Sequence, residues 1–383
     1  MRKVRNLITD FFKRADMVLF ALCCISTIFG LVVISSAVRP YTNPGPERYM
    51  IVQIGAFIIG IVLYVVFTVI DIDIIADKWI FLFAFSMLFM MTLFVWGQDD
   101  GTGNRAWLRF FGIGIQPSEV VKIAYIVLLA KHMSFLKSYR NLSSPLSITQ
   151  IVLHFGFMLG LVLVTAKDLG SATVFLAIFV FMVFAAGVKL YWFAIGIAGI
   201  AASIPFLWNN VLETYQKDRI MAPYDPTIDI EGYGIKYQTN QSKLALASGR
   251  MTGVGLYNGT QTQAGAVPAQ HSDFIYAVAG EELGMIACMA ILILLTLIAI
   301  RCIYIGIKSR NTMNMLICVG MASMILFQTY ENAGMCIGIT PVVGITLPFF
   351  SYGGSSLFSL FAAMGIVSGI RFRPKPERFR SYG

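Results

Sequence analysis

Long runs of apolar residues, separated by short polar stretches, dominate the chain. A helix that spans a bilayer needs about 20 predominantly apolar residues, and ten runs approach this length, several of them bounded by charged residues. The sequence therefore predicts an all-α, polytopic integral membrane protein with about ten transmembrane helices. The predicted spans are residues 17–38, 49–70, 79–97, 117–133, 149–166, 171–188, 190–208, 273–300, 312–331 and 353–370.

Composition agrees with this fold class. The 383 residues are 57% hydrophobic and 13% charged, whereas soluble domains are about 45–50% apolar and about 25% charged. The six cysteines lie in or beside the predicted spans without a CxxC pair, which indicates neither a disulfide framework nor a zinc site. A disordered chain and a secreted disulfide-rich protein are thus excluded, and a soluble enzyme is disfavoured.

The net charge of +9 could by itself indicate a nucleic-acid partner. Lys and Arg, however, concentrate on the segments that lie on the same side as both termini, which places both termini in the cytoplasm. We therefore expect membrane lipid, and no nucleic acid, as a partner. The whole chain, 1–383, is predicted to form one membrane domain that begins with a cytoplasmic amphipathic segment, 1–16, and ends with a basic cytoplasmic tail, 371–383.

Three segments on the predicted outer side carry most of the candidate chemistry. They are residues 98–119, the large loop 209–272 between the seventh and eighth spans, and residues 332–356, which are rich in Gly and Pro. Ordinary turns are one interpretation. Backbone breaks at membrane depth, however, are tolerated only where the backbone is buried in protein or lines a cavity. For 332–356 we favour a re-entrant or cavity-lining segment.

Ionisable residues near these segments have both structural and functional interpretations. Glu119 and Lys122 share one face of the fourth span, either as a structural ion pair or as part of a site. Asp273 opens the eighth span and Asp168 the sixth, where a carboxylate commonly caps the helix. Capping is the default for Asp273; alternatively, a partly desolvated Asp273 could act as a base. The cations of the large loop, among them Lys243 and Arg250, are either solvated or hold a phosphate.

Five motifs follow one another along the chain. They are GNRAWL with IQPSEVVK, KDLGSA, YQTNQSKLALASG with GVGLYNGTQTQ, HSDFIYAVAGEELG, and GITPVVGITLPFFSYGGSS. In this order they resemble the SEDS family (shape, elongation, division and sporulation) of RodA, FtsW and SpoVE proteins. Two stretches, DRIMAPYDP and GTQTQ, are more similar to the RodA branch. One departure is that Val267-Pro268-Ala269-Gln270 lacks the glutamate that is common in the family before the histidine.

The resemblance implies a peptidoglycan glycosyltransferase of the bacterial cytoplasmic membrane. Its substrate would be lipid II, a disaccharide-pentapeptide on undecaprenyl pyrophosphate, and its partner a class B penicillin-binding protein that crosslinks the strands. The resemblance implies Asp273 as the catalytic residue, no certain cofactor, and a divalent cation, Mg or Mn, as an open alternative. A lipid-linked precursor flippase and a non-catalytic scaffold are the rival functions. The expected substrate-binding residues are Glu119, Lys122, Arg105, Lys243, Arg250, Asp168, Ser351 and Ser355.

Overall fold

A computed structural model describes residues 15–98, 105–110, 113–210, 212–309 and 311–372. Most of the predicted amphipathic segment and of the basic tail therefore lies outside the described residues. Ten long helices form where the apolar runs predict them. They are α1 (Met17–Ala37), α2 (Pro46–Val69), α4 (Trp79–Trp96), α5 (Pro117–Tyr139), α6 (Pro145–Ala166), α7 (Leu169–Ala186), α8 (Leu190–Asn210), α12 (Ile275–Lys308), α13 (Thr312–Ile337) and α14 (Gly354–Phe372).

Short elements complete the fold. Helix α3 (Ile72–Asp77) joins two long helices, and three short helices lie between α8 and α12: α9 (Thr214–Met221), α10 (Tyr237–Gly249) and α11 (Thr260–Gln263). Between α4 and α5, strands β1 (Leu108–Phe110) and β2 (Ile113–Ile115) form an antiparallel pair. This hairpin is the one departure from the all-helical prediction in the described part of the chain.

Local signals explain the helix boundaries. Pro occupies the first position of α2, α5 and α6, where its missing N–H has no helical partner to lose. Asp16 caps α1 by accepting a hydrogen bond from the Leu19 N–H at 2.8 Å. Its carboxylate also pairs with Arg301 of α12 and Arg371 of α14, so this buried acid joins three helices at the bundle end opposite Asp273.

Nine of the described helices are long and apolar enough to cross a membrane. The exception is α5, which carries Glu119 and Lys122 but buries most of its residues inside the bundle. The chain is a multi-pass membrane protein, and the prediction of about ten spans is confirmed.

Helix α12 is not the continuous span that the sequence predicted. Gly284 interrupts it with φ 78° and ψ −178°. A side chain at this glycine would place Cβ only 2.4 Å from the backbone nitrogen of Gly253 and the carbonyl oxygen of Met251. Both the positive φ and this close approach require glycine. The break divides α12 into a short first half, which begins at Ile275 just after Asp273, and a longer second half, which ends at Lys308.

Candidate active site

Asp273 lies in a turn and not at the helix cap. The Ala269 carbonyl accepts hydrogen bonds from the N–H groups of Ser272 (3.1 Å) and Asp273 (3.0 Å). Helix α12 begins two residues after Asp273, with Phe274 at the N-cap position and no side-chain cap. The capping interpretation of Asp273 is therefore wrong. Asp273 is half-buried in this turn.

The Gly- and Pro-rich segment lies directly against this turn. The amide nitrogen Nδ2 of Asn332 donates to the carbonyl oxygens of both Asp273 and Ile345, each at 2.7 Å. Ser351 Oγ donates to the Ser272 carbonyl at 2.5 Å, and a Cβ on Gly344 would lie 3.5 Å from Asp273 Oδ2. Residues 345–357 are almost entirely buried, as expected for irregular backbone enclosed by protein. Asn332 and Ser351 thus hold the backbone that carries Asp273.

A second polar cluster surrounds Asp168. This residue caps α7 by accepting from the Ser171 N–H (3.1 Å) and hydroxyl (2.6 Å), and it also accepts from Gln116 Nε2 at 3.1 Å. The Gln116 N–H donates in turn to Ser355 Oγ at 3.2 Å. Burial raises the pKa of Asp168 above its ordinary value, although the hydrogen bonds from Ser171 oppose this. Asp168 and Ser355, both predicted as site residues, are thus joined through Gln116.

Glu119 and Lys122 form a buried ion pair beside this cluster. Lys122 Nζ lies 2.6 Å from Glu119 Oε1, and the two side chains are 1% and 7% exposed, respectively. The positive charge of Lys122 lowers the pKa of Asp168, and the negative charge of Glu119 raises it. The helix α7 start also touches the segment near Asp273, because a Cβ on Gly170 would lie 2.5 Å from the Val343 carbonyl oxygen. Two clusters, one around Asp273 and one around Asp168, therefore meet at residues 343–345.

The three remaining predicted cations lie at exposed positions around the clusters. The Arg105 N–H donates to the Ala166 carbonyl at 3.2 Å, two residues before Asp168. Lys243 lies on α10 and crosses Gly338 at the end of α13. Arg250 follows α10 with φ 50°, and its carbonyl accepts the Met285 N–H at 2.9 Å. The structure thus brings Glu119, Lys122, Asp168 and Ser355 together, and it places Ser351 beside Asp273.

Four aromatic rings gather next to Asp273. His271 packs against Tyr41, Tyr49 and Tyr352 with ring centroids 5.1–5.4 Å apart. Its Nδ1 hydrogen-bonds the Tyr41 hydroxyl at 3.2 Å, and its carbonyl accepts the Tyr352 N–H at 2.8 Å. Burial lowers the pKa of His271 to about 4. His271 is therefore neutral at pH 7 and acts as an uncharged anchor for the turn.

This depressed pKa predicts a pH dependence of stability. Below the unfolded-state value of 6.5, the unfolded chain binds a proton that folded His271 does not accept until about pH 4. The free energy of unfolding should thus fall as the pH drops from about 6.5 to about 4, by at most about 1.4 kcal/mol per pH unit. Denaturation of wild type and His271→Gln across this range should show a smaller pH slope for the variant. Equal slopes would contradict the assignment.

Two glutamates beyond Asp273 anchor the loop between α10 and α12. Glu281 accepts hydrogen bonds from the N–H groups of Gln261 (2.8 Å) and Thr262 (2.9 Å), and Glu282 accepts from Ser36 Oγ at 2.7 Å. Both glutamates are fully buried. Their role is to hold this loop onto the first half of α12.

The sequence did not single out Gln116 or Asn332, which tie the clusters together. Each is an amide side chain near a helix end and next to a Gly- or Pro-containing segment. This combination is the sequence signal by which both residues could have been predicted. Among the described residues, no group of three or more His, Cys, Asp or Glu side chains gathers to hold a metal ion.

Comparison with known proteins agrees with this arrangement. A family model described as cell cycle protein, for FtsW, RodA and SpoVE, matches residues 16–375. The chain is 34% identical over 326 residues to the peptidoglycan glycosyltransferase MrdB of Escherichia coli K12, covering 84% of this chain and 85% of MrdB. It is 34% identical over 269 residues to stage V sporulation protein E of Bacillus subtilis, covering 70% and 71%.

Solved structures show the same fold. A chain from a study of how a peptidoglycan synthase complex coordinates polymerization and crosslinking matches with a TM-score of 0.78 and 26% identity, covering 96% of this chain and 99% of that one. RodA of Thermus thermophilus matches with a TM-score of 0.69 and 22% identity, covering 94% and 98%. The chain therefore belongs to the family of FtsW, RodA and SpoVE, resembles its RodA branch, and is a glycosyltransferase of cell-wall synthesis.

Proposed function

We propose that the chain polymerises lipid II at the outer face of the bacterial cytoplasmic membrane, with both termini in the cytoplasm. The observation that carries this proposal is the position of Asp273. Asp273 is half-buried and does not cap the helix, and Asn332 and Ser351 hold the backbone that carries its carboxylate. A carboxylate fixed in this way at the end of a membrane bundle suits a base that acts on a lipid-linked sugar.

In the proposed reaction, the Asp273 carboxylate takes the proton from the 4-hydroxyl of the GlcNAc on one lipid-linked disaccharide. The hydroxyl oxygen forms a bond to the anomeric carbon of the MurNAc of the other chain. The bond from that carbon to the diphosphate breaks, and undecaprenyl pyrophosphate leaves with the electron pair. This single displacement inverts the anomeric carbon and needs no covalent sugar–enzyme intermediate. General-base assistance of this kind contributes about 10²–10⁴-fold.

The other predicted residues have supporting roles in this proposal. Glu119, Lys122 and Asp168 bind substrate from the cluster beside residues 343–345, and Ser355 joins them through Gln116. Ser351 positions the turn, Arg105 is an exposed cation near Asp168, and Arg250 is an exposed cation beside the break at Gly284. Among the described residues, the His, Cys, Asp and Glu side chains form no group of three that could hold a divalent cation, Mg or Mn. We therefore assign no step to a metal.

We further propose that the chain works with a class B penicillin-binding protein in elongation, division or sporulation. The match to a chain of a peptidoglycan synthase complex supports a crosslinking partner. The similarity to MrdB and to stage V sporulation protein E supports more than one of these cellular roles.

The proposal is tested by incubating the purified full-length chain with lipid II in detergent and resolving the products on a gel. A ladder of glycan polymer is expected, with and without the penicillin-binding partner compared side by side. The same protein in liposomes, assayed for lipid II movement, separates the alternatives. Movement without polymer would favour a flippase, and neither polymer nor movement in either preparation would favour a scaffold. Both results would contradict the proposal.

A further inference from the structure

A basic cleft lies between the large loop and the end of α13. It has a volume of about 270 Å³ and is lined by residues of α9 and α10, by the chain that joins them, and by Gly338 and Val342. Among the described residues that line it, three are cationic, Arg219, Lys236 and Lys243, and none is a carboxylate. This cleft was not predicted, because its walls come from two regions that are distant in sequence.

The cations of the cleft keep much of their charge available. The ion pairs formed by the described residues involve none of the three. Lys236 Nζ donates to the backbone carbonyl of Asp225 at 2.8 Å. Asp225 and Asp229 also interact electrostatically with Lys236, so they offset part of its charge, whereas Arg219 and Lys243 add two further positive charges to the cleft. An anion that enters the cleft would therefore meet a net positive surface.

The cleft adjoins the proposed catalytic residue. Val342 lines it, and Gly344, only two residues further on, lies against Asp273 Oδ2. Two residues of extended chain span at most about 7 Å. Lys243 also lies across Gly338, where a Cβ would come within 2.2 Å of its Cε, so the absence of a side chain there lets Lys243 reach the cleft. One short segment therefore forms part of the cleft wall and also lies against the Asp273 carboxylate.

We propose that this cleft binds the diphosphate of a lipid-linked substrate, with Arg219, Lys236 and Lys243 as its cationic ligands. The inference rests on the proposed function, because it places the leaving group of that reaction. Lys122, a cation of the neighbouring Asp168 cluster, is already paired with Glu119 at 2.6 Å. A diphosphate needs several donors and a positive field, and the forked guanidinium of Arg219 with two lysines supplies both. Thr239 and Asn240 add neutral polar groups to the same wall.

Direct binding of inorganic pyrophosphate to the purified full-length chain, measured by calorimetry at fixed ionic strength, tests the cleft without requiring turnover. The double variant Arg219→Gln/Lys243→Gln should bind at least tenfold more weakly than wild type, which is about 1.4 kcal/mol. Lys217→Gln is the matched control, because it removes one charge from the same helix without lining the cleft. It should change the affinity less than twofold, and Arg219→Lys should retain most of the binding.

The outcomes separate this inference from the proposed function. Asp273→Asn should bind pyrophosphate like wild type even though it polymerises lipid II about 10²–10⁴-fold more slowly. If wild type polymerises lipid II but the double variant binds pyrophosphate normally with its fold intact by thermal denaturation, the cleft assignment is wrong. A second experiment measures binding of the free stem pentapeptide to wild type and to the double variant, because the carboxylates of this peptide are the other anions of the substrate. Loss of peptide binding with retention of pyrophosphate binding would also overturn the proposal.

Discussion

Replacing Asp273 with Asn should lower the rate of lipid II polymerisation by about 10²–10⁴-fold, because the amide cannot accept the proton of the attacking hydroxyl. The fold should survive this change. The contacts that hold the turn use the backbone carbonyl of Asp273 and of its neighbour Ser272, and these carbonyls remain in the variant. Initial rates measured with purified protein at saturating lipid II check the expectation.

The matched control for this variant is Glu231→Gln. Glu231 is also a carboxylate between α8 and α12, and it is exposed. It does not line the basic cleft, and the proposed chemistry does not use it. The control should polymerise lipid II at close to the wild-type rate. A near-normal rate for Asp273→Asn would remove Asp273 from the role of base.

Replacing Lys122 with Met should destabilise the protein by about 3–5 kcal/mol, because it leaves the Glu119 carboxylate buried without its counter-charge. The pair is 1% and 7% exposed, so water cannot replace the lost partner. Denaturation of the detergent-solubilised chain measures this effect. Lys131→Met is the control on the same helix. Its pair with Asp77 is 34% and 69% exposed, for which about 0–1 kcal/mol is expected.

The double variant Glu119→Gln/Lys122→Met separates structure from function in this pair. Removing both charges leaves no isolated buried ion, so much of the lost stability should return. A double variant that is stable but inactive would support substrate binding by the pair. If activity returns together with stability, the pair is structural, and its assignment to substrate binding is wrong.

The membrane spans could be predicted because their physical requirement is local. An apolar run of about 20 residues satisfies it wherever the rest of the chain lies. The burial of most of the Gly- and Pro-rich segment was likewise expected. The pairing of Glu119 with Lys122 also followed from spacing, since residues three apart share a helix face.

The features that the sequence did not predict depend on contacts between distant segments. Asp273 has the sequence context of a helix cap, but the turn around Ala269, at φ 48°, delays the helix start. The break at Gly284 depends on Gly253 and Met251 of the preceding loop. The basic cleft requires α10 to pack Lys243 across Gly338. No periodicity within one segment carries such information.

The most direct test of the central claim measures both products of the reaction, the undecaprenyl pyrophosphate that is released and the glycosidic linkages that are formed. Purified wild-type chain, incubated with lipid II and with no other protein, should release one undecaprenyl pyrophosphate for each new glycosidic linkage. The Asp273→Asn variant should release almost none, and the Glu231→Gln control should match wild type. Linkages formed at the wild-type rate by Asp273→Asn, or no linkages formed by wild type, would contradict the assignment of glycosyl transfer to this site.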